Sequence, residues 1–253
     1  MKPLALITGA TRGIGRGIAE HLASAGHPVA LVARHIDELR AVEVQLREAG
    51  HRAVAVACDV AEPDEVARAL AHIHQSLGTP EILVNNAGMG GPFHRVDEVS
   101  AQEWRAMFGS NIDGPFYFSR ALLPAMKARG FGRIINISSI QGLFGGALSS
   151  TYVATKHALV GHTKAIAAEW GAYGITANVV CPGYIETEML KNAPEDLKKE
   201  ILRRIPAQRF GSAAEIAAFV GFLAGPCSGY FNGSVVTIDG GLSAHLGSSL
   251  PEF

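Results

Sequence analysis

The chain has 253 residues, of which 48% are hydrophobic and 18% charged, and its formal net charge at pH 7 is −1. This length allows one large domain with a well-buried core, or at most two small ones. A chain so close to neutrality has no basic field to hold a nucleic acid or an anionic membrane nonspecifically, so we expect neither as a partner.

The cysteines and the N-terminal residues bear on the cellular compartment. Cys58, Cys181 and Cys227 are scattered and lack C-x-x-C spacing, which predicts reduced thiols rather than a disulfide framework or a zinc site. Cys58 and Cys181 lie in apolar runs and are predicted to be small core residues. The first residues lack the long apolar region of a signal peptide, and no run approaches the roughly 18 apolar residues of a membrane span. We therefore expect a cytoplasmic protein.

Seven short apolar runs predict strands along the whole chain. Because they are apolar throughout rather than alternating, they should be buried on both faces, as parallel strands between helices are. Stretches with helical period separate them, which predicts an α/β fold: one Rossmann-type, doubly wound domain with a seven-stranded parallel sheet, helices on both faces and a ligand crevice at the carboxyl ends of the strands. The predicted strands are residues 4–8, 28–34, 53–60, 81–88, 132–139, 176–183 and 234–241.

Two helix starts and one insertion can also be located. Ser100 with Glu103, and Ser212 with Glu215, have the spacing of a capping box ahead of two later helices. Residues 184–210 break the alternation with a polar, helix-like piece. Because loops beside such a crevice often close on a ligand, we predict that this segment is a mobile flap over the crevice.

The sequence TGATRGIG follows the first strand and opens the first helix. It places Gly9, Gly13 and Gly15 where a chain turns sharply and can approach a pyrophosphate closely, because glycine lacks a Cβ atom and permits positive φ angles. The spacing is G-x-x-x-G-x-G rather than G-x-G-x-x-G. The alternative is that the glycines serve only a tight strand-to-helix turn.

Charge near the second strand indicates which nicotinamide cofactor fits. An acidic residue at the end of that strand would bind the adenosine ribose hydroxyls and favour NAD. Here the strand ends in Ala33 and Arg34, and Arg12 lies inside the glycine turn. Each arginine alone could be a solvated surface residue. Two guanidiniums near one ribose suit a 2′-phosphate, so together they predict NADP(H).

Tyr152 and Lys156 stand one turn apart in the segment TYVATKHA, so they would share one face of a helix. Such a pair arises often by chance, and a half-buried tyrosine beside a snorkelling lysine would explain it equally well. By themselves the two residues therefore leave both readings open.

The chain as a whole resembles the short-chain dehydrogenase/reductase family, and the resemblance covers nearly its full length. Seven motifs match in order. They are TGATRGIG at 8–15, DV at 59–60, NNAG at 85–88, NIDG at 111–114, ISS at 137–139, YVATK at 152–156 and PGYIET at 182–187.

The resemblance implies a catalytic set of Asn111, Ser139, Tyr152 and Lys156, with spacing that favours Ser139 over Ser138. In this chemistry Tyr152 gives a proton to the oxygen of a carbonyl that is being reduced. Lys156 and the oxidised nicotinamide ring would favour the phenolate, and Lys156 would also bond the ribose. Ser139 would hold the substrate oxygen, and Asn111, through its main chain and side chain, would hold a water that links Lys156 to solvent.

The same resemblance implies binding residues along the crevice. No third ligand accompanies His157 and His162, so we expect no metal site. The cofactor would contact Gly9, Thr11, Arg12, Gly13, Ile14, Gly15, Arg34, Asp59, Val60, Asn86, Ala87, Gly88, Tyr152, Lys156, Pro182, Gly183, Ile185 and Thr187. The substrate would contact Ser139, Gln141, Phe144, Tyr152, Tyr184 and Met189, with Gly90 to His94, Leu143 and Leu190 as further candidates for an apolar pocket.

Within the family, the sequence is similar to 3-ketoacyl-(acyl carrier protein) reductases. This similarity implies an NADPH-dependent reduction of a 3-ketoacyl thioester, with acyl carrier protein as a candidate partner and a homotetramer as the assembly. Alternatives are an alcohol, sugar, diketone or steroid dehydrogenase of the same family and a non-catalytic NADP(H) sensor. Relatives that use the carrier hold it with arginines near the mouth of the site, whereas this chain has Tyr173 and Gly130 at the expected positions, with Arg129 adjacent.

Overall fold

The structure is a computed structural model that describes residues 2–91, 93–186, 190 and 194–244. Strands and helices alternate along the described chain. The strands are β1 (Ala5–Thr8), β2 (Val29–Ala33), β3 (Ala53–Ala57), β4 (Ile82–Asn85), β5 (Gly132–Ile137), β6 (Ile175–Pro182) and β7 (Val235–Ile238). The helices are α1 (Gly13–Ser24), α2 (Ile36–Glu48), α3 (Pro63–Leu77), α4 (Ala101–Phe108), α5 (Gly114–Arg129), α6 (Ser150–Trp170), α7 (Glu195–Leu202) and α8 (Ala213–Ala224).

All seven strands form one parallel sheet in the order β3-β2-β1-β4-β5-β6-β7. The direction of winding reverses between β1 and β4, and this reversal opens a crevice at the carboxyl ends of these two strands. The predicted fold class, a single doubly wound α/β domain, is confirmed.

Apolar side chains cover both faces of the sheet. One core lies against α1, α2 and α8 and includes Ile18, Leu39 and Val220. The other lies against α3, α5 and α6 and includes Phe118 and Ile166. The burial of β1, β4, β5 and β6 between two helical layers explains why their sequences are mostly apolar, whereas the edge strands β3 and β7 are partly exposed.

Several strands end earlier than the apolar runs predict. At β4, the main-chain N–H groups of Asn86 and Ala87 donate to the Thr8 hydroxyl, at 3.0 and 2.9 Å, instead of to a neighbouring strand. Polar and small residues after the strand thus leave the sheet ladder and form the loops at its edge.

Smaller predictions of local structure can also be checked. Both capping boxes are present, with the Ser100 and Ser212 hydroxyls accepting from the main-chain N–H groups of Glu103 and Glu215. Cys58 and Cys181 are buried, as predicted, and burial raises the pKa of the Cys58 thiol to about 12. Within the described ranges, every helix is too short or too polar to cross a membrane.

Candidate active site

The glycine turn between β1 and α1 is built so tightly that side chains would not fit. Gly9 and Gly13 have φ angles of +67° and +57°. A Cβ atom on Gly15 would lie 2.2 Å from the main-chain oxygen of Gly9, and one on Gly9 would lie 2.8 Å from Nδ2 of Asn86. The turn therefore needs glycine at these three positions for its own geometry, whatever it binds.

The start of α1 fits an anionic group. Arg12 is the N-cap residue, its side chain does not cap the helix, and the first turn contains no acidic side chain. By contrast, α2 and α3 each carry two acidic residues in their first turns. The N–H groups at the start of α1, together with the positive end of the helix dipole, are thus left for a phosphate, as a dinucleotide cofactor would require.

Asn86 holds this turn against β4. Its Nδ2 donates to the main-chain oxygens of Thr8 and Gly9 at 3.0 and 3.1 Å. The amide N–H groups of the side chain are thereby engaged within the protein, so the main chain and Oδ1 of Asn86 are left for a cofactor contact.

The two arginines expected to select NADP(H) are both exposed at this edge of the sheet. Arg12 lies in the glycine turn and Arg34 directly follows β2. The next carboxylates along the chain, Asp37 and Glu38, lie in the first turn of α2 rather than at the end of the strand.

Asp59 and Val60 follow β3, but the Val60 side chain is turned inward. It is buried, and a Cβ atom on Gly114 would lie 2.9 Å from its Cβ and Cγ2 atoms. Asp59 Oδ1 accepts from the Ala61 N–H at 3.0 Å. A cofactor at this position could therefore meet the main chain of Val60 but not its side chain.

Tyr152, Lys156 and Ser139 come together where α6 begins beside the end of β5. The Lys156 ammonium donates to the main-chain oxygen of Ile137 at 2.9 Å and lies 5.5 Å from the centre of the Tyr152 ring. The Ser139 hydroxyl hydrogen-bonds the Tyr152 phenol. Ser139 also accepts from the Gln141 N–H at 3.2 Å, which fixes the short turn after the strand.

Burial shifts the pKa values of Tyr152 and Lys156 in opposite directions. It raises the pKa of the Tyr152 phenol, and the hydrogen bond from Ser139 opposes the rise. It lowers the pKa of Lys156 from 10.5 to about 8. The protein chain by itself thus lacks the expected lowering of the phenol pKa by Lys156, because the ammonium is directed at the Ile137 carbonyl and desolvation of the phenol dominates.

Asn111 lies in a π-helical turn, Gly109–Asp113, between α4 and α5, and its side chain is 1% exposed. Its Oδ1 accepts from the Met89 N–H at 2.8 Å, and its Nδ2 donates to the Met89 carbonyl at 3.1 Å and to the Thr155 hydroxyl at 3.0 Å. Thr155 in turn donates to the main-chain oxygen of Tyr152 at 2.9 Å. The side chain of Asn111 thus holds the loop after β4 against α6. The main chain of Asn111 is then the part that could bind the expected water.

A line of buried polar residues joins β4, β5 and α6, and we call it the polar seam (Asn85, Asn136, Ser138 and Thr163). Asn85 Nδ2 donates to Asn136 Oδ1, and Asn136 Nδ2 donates to the Thr163 hydroxyl, both at 2.8 Å. Ser138 donates to the main-chain oxygen of Lys156 at 3.1 Å. Thr163 lies seven residues after Lys156, on the same face of α6, so these bonds set the position of α6 along β5.

Sequence reasoning missed the polar seam. It considered Ser138 only as an alternative to Ser139 and did not single out the asparagines or Thr163. The available signal was an asparagine inside each of two apolar strands, together with a threonine two helical turns beyond Lys156.

Cys181 is a second omission. It is buried at the end of β6, and burial raises the pKa of its thiol, while Ser138, the main chain of Ser139 and the Lys156 ammonium oppose this rise. The sequence predicted a core cysteine, and the structure adds that this thiol lies close enough to Tyr152 and Lys156 to affect the pKa values of both.

The predicted substrate residues divide into several groups. Phe144 and Tyr184 are exposed beside the site, whereas Leu143 packs on the small core around Val160, Val179 and Cys181. Gln141 folds over Gly146, whose Cβ atom would lie 2.4 Å from Nε2 of the glutamine. Gly91 lies against Met107. Leu190 is half-buried, and Pro92, Thr187 and Met189 lie outside the described residues.

The predicted flap is anchored at both ends. Tyr184 and Glu186 exchange main-chain hydrogen bonds with Gly211, at 2.9 and 2.7 Å. Toward its end, Ile205 is buried, and Ala207 donates to the Gly240 carbonyl at 3.0 Å. Pro182 and Gly183 precede it, and Gly183 donates to Ile238 at 3.0 Å. The first and last residues of the predicted flap are thus held by main-chain hydrogen bonds, and its mobility stays a prediction.

The positions expected to face an acidic carrier protein lie elsewhere. Arg129 pairs with Glu81 at 2.7 Å, just before β4, and Lys127 lies 4.1 Å from the centre of the Tyr173 ring, just before β6. Both pairs are at the amino ends of the strands, across the sheet from Tyr152. The expectation that these positions flank the mouth of the site is therefore wrong within a single chain, because they belong to the opposite edge of the sheet.

No three His, Cys, Asp or Glu side chains in the described ranges lie close enough together to hold a metal ion.

Comparison with known proteins agrees with the resemblance drawn from the motifs. The family model described as enoyl-(acyl carrier protein) reductase matches residues 9–243. The 3-oxoacyl-[acyl-carrier-protein] reductase FabG of Pseudomonas aeruginosa is 38% identical over 239 residues, covering 94% of this chain and 96% of the relative. The enzyme of the same name from Staphylococcus epidermidis is 37% identical over 243 residues, covering 96% and 99%.

Solved structures agree over the same length. A variant of the actinorhodin polyketide ketoreductase with NADPH has a TM-score of 0.91 and 35% identity, covering 96% of this chain and 98% of that chain. A gluconate 5-dehydrogenase from Burkholderia cenocepacia in complex with NADP and tartrate has a TM-score of 0.91 and 35% identity, covering 97% of each. The chain therefore belongs to the short-chain dehydrogenase/reductase family of oxidoreductases, which act on CH–OH groups, and it is similar to the 3-oxoacyl-[acyl-carrier-protein] reductases.

Proposed function

We propose that this protein is an NADPH-dependent carbonyl reductase whose substrate is a 3-ketoacyl thioester. The proposal rests on the grouping of Ser139, Tyr152 and Lys156 next to the hydrogen-bond network of Asn111. The glycine turn at the same edge of the sheet has main-chain N–H groups that are available to a phosphate. A nicotinamide cofactor, when bound, supplies the hydride to the carbonyl carbon.

The protein's own groups complete the reduction by placing a proton on the carbonyl oxygen. Tyr152 donates it from its hydroxyl, and Ser139, already bonded to that hydroxyl, orients and polarises the substrate oxygen. The buried lysine supports this step in two ways. Its ammonium can bond a cofactor ribose, and with a pKa near 8 it can pass a proton toward Tyr152 near neutral pH.

The preference for NADP(H) is argued from charge. Arg12 and Arg34 are exposed at the end of the crevice where the adenosine ribose would lie, and both solved relatives described above were determined with NADPH or NADP. We expect Arg34→Ala to raise the KM for NADPH about tenfold while changing the KM for NADH less, since a charge-assisted bond to the 2′-phosphate is lost. Equal changes for both cofactors would contradict the preference.

The ketoacyl assignment is supported by the named relatives and by the apolar side chains beside the site, Phe144 and Tyr184. A sugar-acid dehydrogenase is the second candidate, because the gluconate 5-dehydrogenase has the same fold and a similar identity. A non-catalytic NADP(H) sensor is disfavoured, since the whole set Asn111, Ser139, Tyr152 and Lys156 is present.

The test is a screen of NADPH oxidation with acetoacetyl-CoA, longer 3-ketoacyl thioesters free and on acyl carrier protein, diketones, ketosteroids and keto-sugar acids. Turnover is expected with the thioesters. Tyr152→Phe should bind NADPH like the wild type and lose about a thousandfold in turnover, as expected for removal of a general acid. Turnover by this variant at the wild-type rate would exclude Tyr152 as the proton donor, and turnover of gluconate-type substrates alone would favour the second candidate.

Assembly and location complete the proposal. Trp104, Phe116 and Tyr173 are exposed apolar side chains on or next to α4, α5 and α6, which suits the expected homotetramer, and light scattering after size exclusion would measure its mass. The three free cysteines agree with a cytoplasmic location.

A further inference from the structure

Four exposed apolar side chains lie on loops at the edge of the sheet that carries the candidate active site, and we call them the apolar rim (Phe93, Phe144, Leu148 and Tyr184). Their exposed fractions are 66%, 51%, 49% and 37%. They come from the loops after β4, β5 and β6, which all end at the edge of the sheet that carries Tyr152. Apolar side chains grouped in this way on a surface usually mark a binding site.

Leu148 has a backbone conformation that leucine rarely adopts. Its φ angle is +61°, and Leu148 and Gln208 are the only non-glycine residues with positive φ among those described. The Ser149 N–H donates to the Gly146 carbonyl at 3.4 Å, so Leu148 is the third residue of a four-residue turn. A turn whose third residue has positive φ favours glycine there, because a Cβ atom is crowded in this region. The sequence has glycines two and three residues earlier but a leucine at this position.

The turn is fixed relative to the reacting groups. Ser149 is buried and pairs with His94 as an isolated parallel bridge, which brings Phe93 next to Leu148. Directly after Ser149, helix α6 begins at Ser150 and carries Tyr152 in its first turn. The leucine is therefore held four residues from Tyr152 by a bridged and helical backbone.

The charges near the rim do not favour an anionic group. His94 lies 3.6 Å from Glu103, and Arg95 lies 3.4 Å from Asp97, so each of these basic side chains already faces a carboxylate. An apolar chain, in contrast, would cover the side chains that are exposed here.

We propose that Leu148 is a specificity-determining residue that contacts the apolar chain of the substrate, together with Phe93 and Phe144, and so favours long acyl chains over short ones. This inference deepens the proposed function, from which it takes the acyl thioester as the ligand. It explains why a leucine occupies a position at which glycine would be less strained.

The test measures binding as well as turnover. Affinities of butyryl-CoA and decanoyl-CoA, which cannot be reduced, are measured by calorimetry with saturating NADP for the wild type, Leu148→Ala, Leu148→Gly and Val44→Ala. Val44 is a matched control, because it is 51% exposed on α2, away from the site. We expect the wild type to bind decanoyl-CoA at least ten times more tightly than butyryl-CoA. The two Leu148 variants should reduce this ratio to threefold or less and leave the affinity for butyryl-CoA unchanged. A change of this size is expected when the substrate no longer covers the exposed half of a leucine side chain.

Thermal unfolding tests the backbone strain at Leu148 separately from its contact with the substrate chain. Leu148→Gly should melt at a higher temperature than Leu148→Ala, because only glycine relieves the positive φ. The same order is expected for Gln208→Gly and Gln208→Ala, which change the other strained position. Equal melting temperatures for the two Leu148 variants would contradict the strain that motivates the inference.

Other outcomes overturn the proposal. A wild type without chain-length preference, a ratio preserved in both Leu148 variants, or an equal loss of affinity for both ligands would show that Leu148 does not select the length of the substrate chain. Failure of the proposed function would give a different result from failure of this inference. The wild type would then turn over none of the 3-ketoacyl thioesters, but it would still prefer decanoyl-CoA, and the Leu148 variants would still lose that preference.

Discussion

The polar seam beneath α6 and the apolar rim above it are built in opposite ways. In the polar seam, Asn136 is fully buried and bonded on both sides, to Asn85 and to Thr163. In the rim, the large apolar side chains are exposed to solvent, and one of them is strained. The side that positions the reacting groups is thus held by hydrogen bonds between buried side chains, whereas the large apolar side chains that would meet the variable part of a substrate are exposed to solvent. Stability and selectivity should therefore respond to different substitutions.

Among the residues of the site, the largest effect on stability is expected at the buried lysine, and it depends on pH. Burial lowers the pKa of Lys156 from 10.5 to about 8, so between these pH values the unfolded chain binds more protons and stability rises with pH. The free energy of unfolding of the wild type, minus that of Lys156→Met, should be constant below pH 8 and rise by about 3 kcal/mol by pH 10.5. Chemical denaturation at a series of pH values measures it. Lys164→Met, an exposed site on the same helix, should show no such rise, and a flat difference for Lys156→Met would mean that this amine is not desolvated.

The next effect is expected in the polar seam itself. Asn136→Leu leaves Nδ2 of Asn85 buried without an acceptor and should lower the free energy of unfolding by about 2 to 3 kcal/mol. Urea denaturation measures this loss. Thr163→Val removes the acceptor of Asn136 Nδ2 and the bond that the Thr163 hydroxyl donates to the Leu159 carbonyl, and it should lower the free energy of unfolding by about 1 to 2 kcal/mol. If Asn136→Leu were as stable as the wild type, the seam would not be what anchors α6.

A smaller loss of stability is expected at Thr155, which connects α6 to the loop after β4 through Asn111. Thr155→Val removes one acceptor of Asn111 Nδ2 but leaves its bond to the Met89 carbonyl. We therefore expect the free energy of unfolding to fall by about 1 kcal/mol. Turnover should fall more than stability alone explains, because Thr155 also bonds the Tyr152 carbonyl. Thr155→Ser keeps the hydroxyl and should restore both quantities; failure to restore them would assign the effect to packing.

The smallest effect on stability is expected in the rim. Phe144→Ser should change the free energy of unfolding by no more than about 0.5 kcal/mol, because the side chain is already exposed in the free protein. Phe118→Ala, at a fully buried phenylalanine, should cost about 3 to 5 kcal/mol in the same assay. A large loss for Phe144→Ser would mean that the rim belongs to the core, and the contrast drawn above would fail.

Much of the fold could be predicted because the apolar runs report burial directly. All seven strands and both capping boxes were located, whereas the carboxyl ends of the strands were placed too late. Residues such as Asn86 look like a continuation of the strand, yet their main chain bonds to a side chain, Thr8, that is 78 positions away. Such a bond depends on tertiary structure, which no local pattern contains.

The candidate site could be predicted only in part, and for a similar reason. The residues that carry the chemistry are grouped in short motifs, so the resemblance pointed to Ser139, Tyr152 and Lys156 together. The partners that hold them, such as Asn136 and Cys181, come from other strands and carry no motif of their own. The strain at Leu148 was equally invisible, because it arises from a turn that is closed by Gly146 and bridged to His94.

The bond from Asn86 to Thr8 and Gly9 also has a consequence for biosynthesis. The glycine turn is translated at the start of the chain, but the side chain that holds it belongs to the fourth strand. A nascent chain that ends before β4 therefore contains the whole glycine motif without its final shape. On the ribosome, the bonds that hold the phosphate-binding turn to the fourth strand can form only after the centre of the sheet has been synthesised.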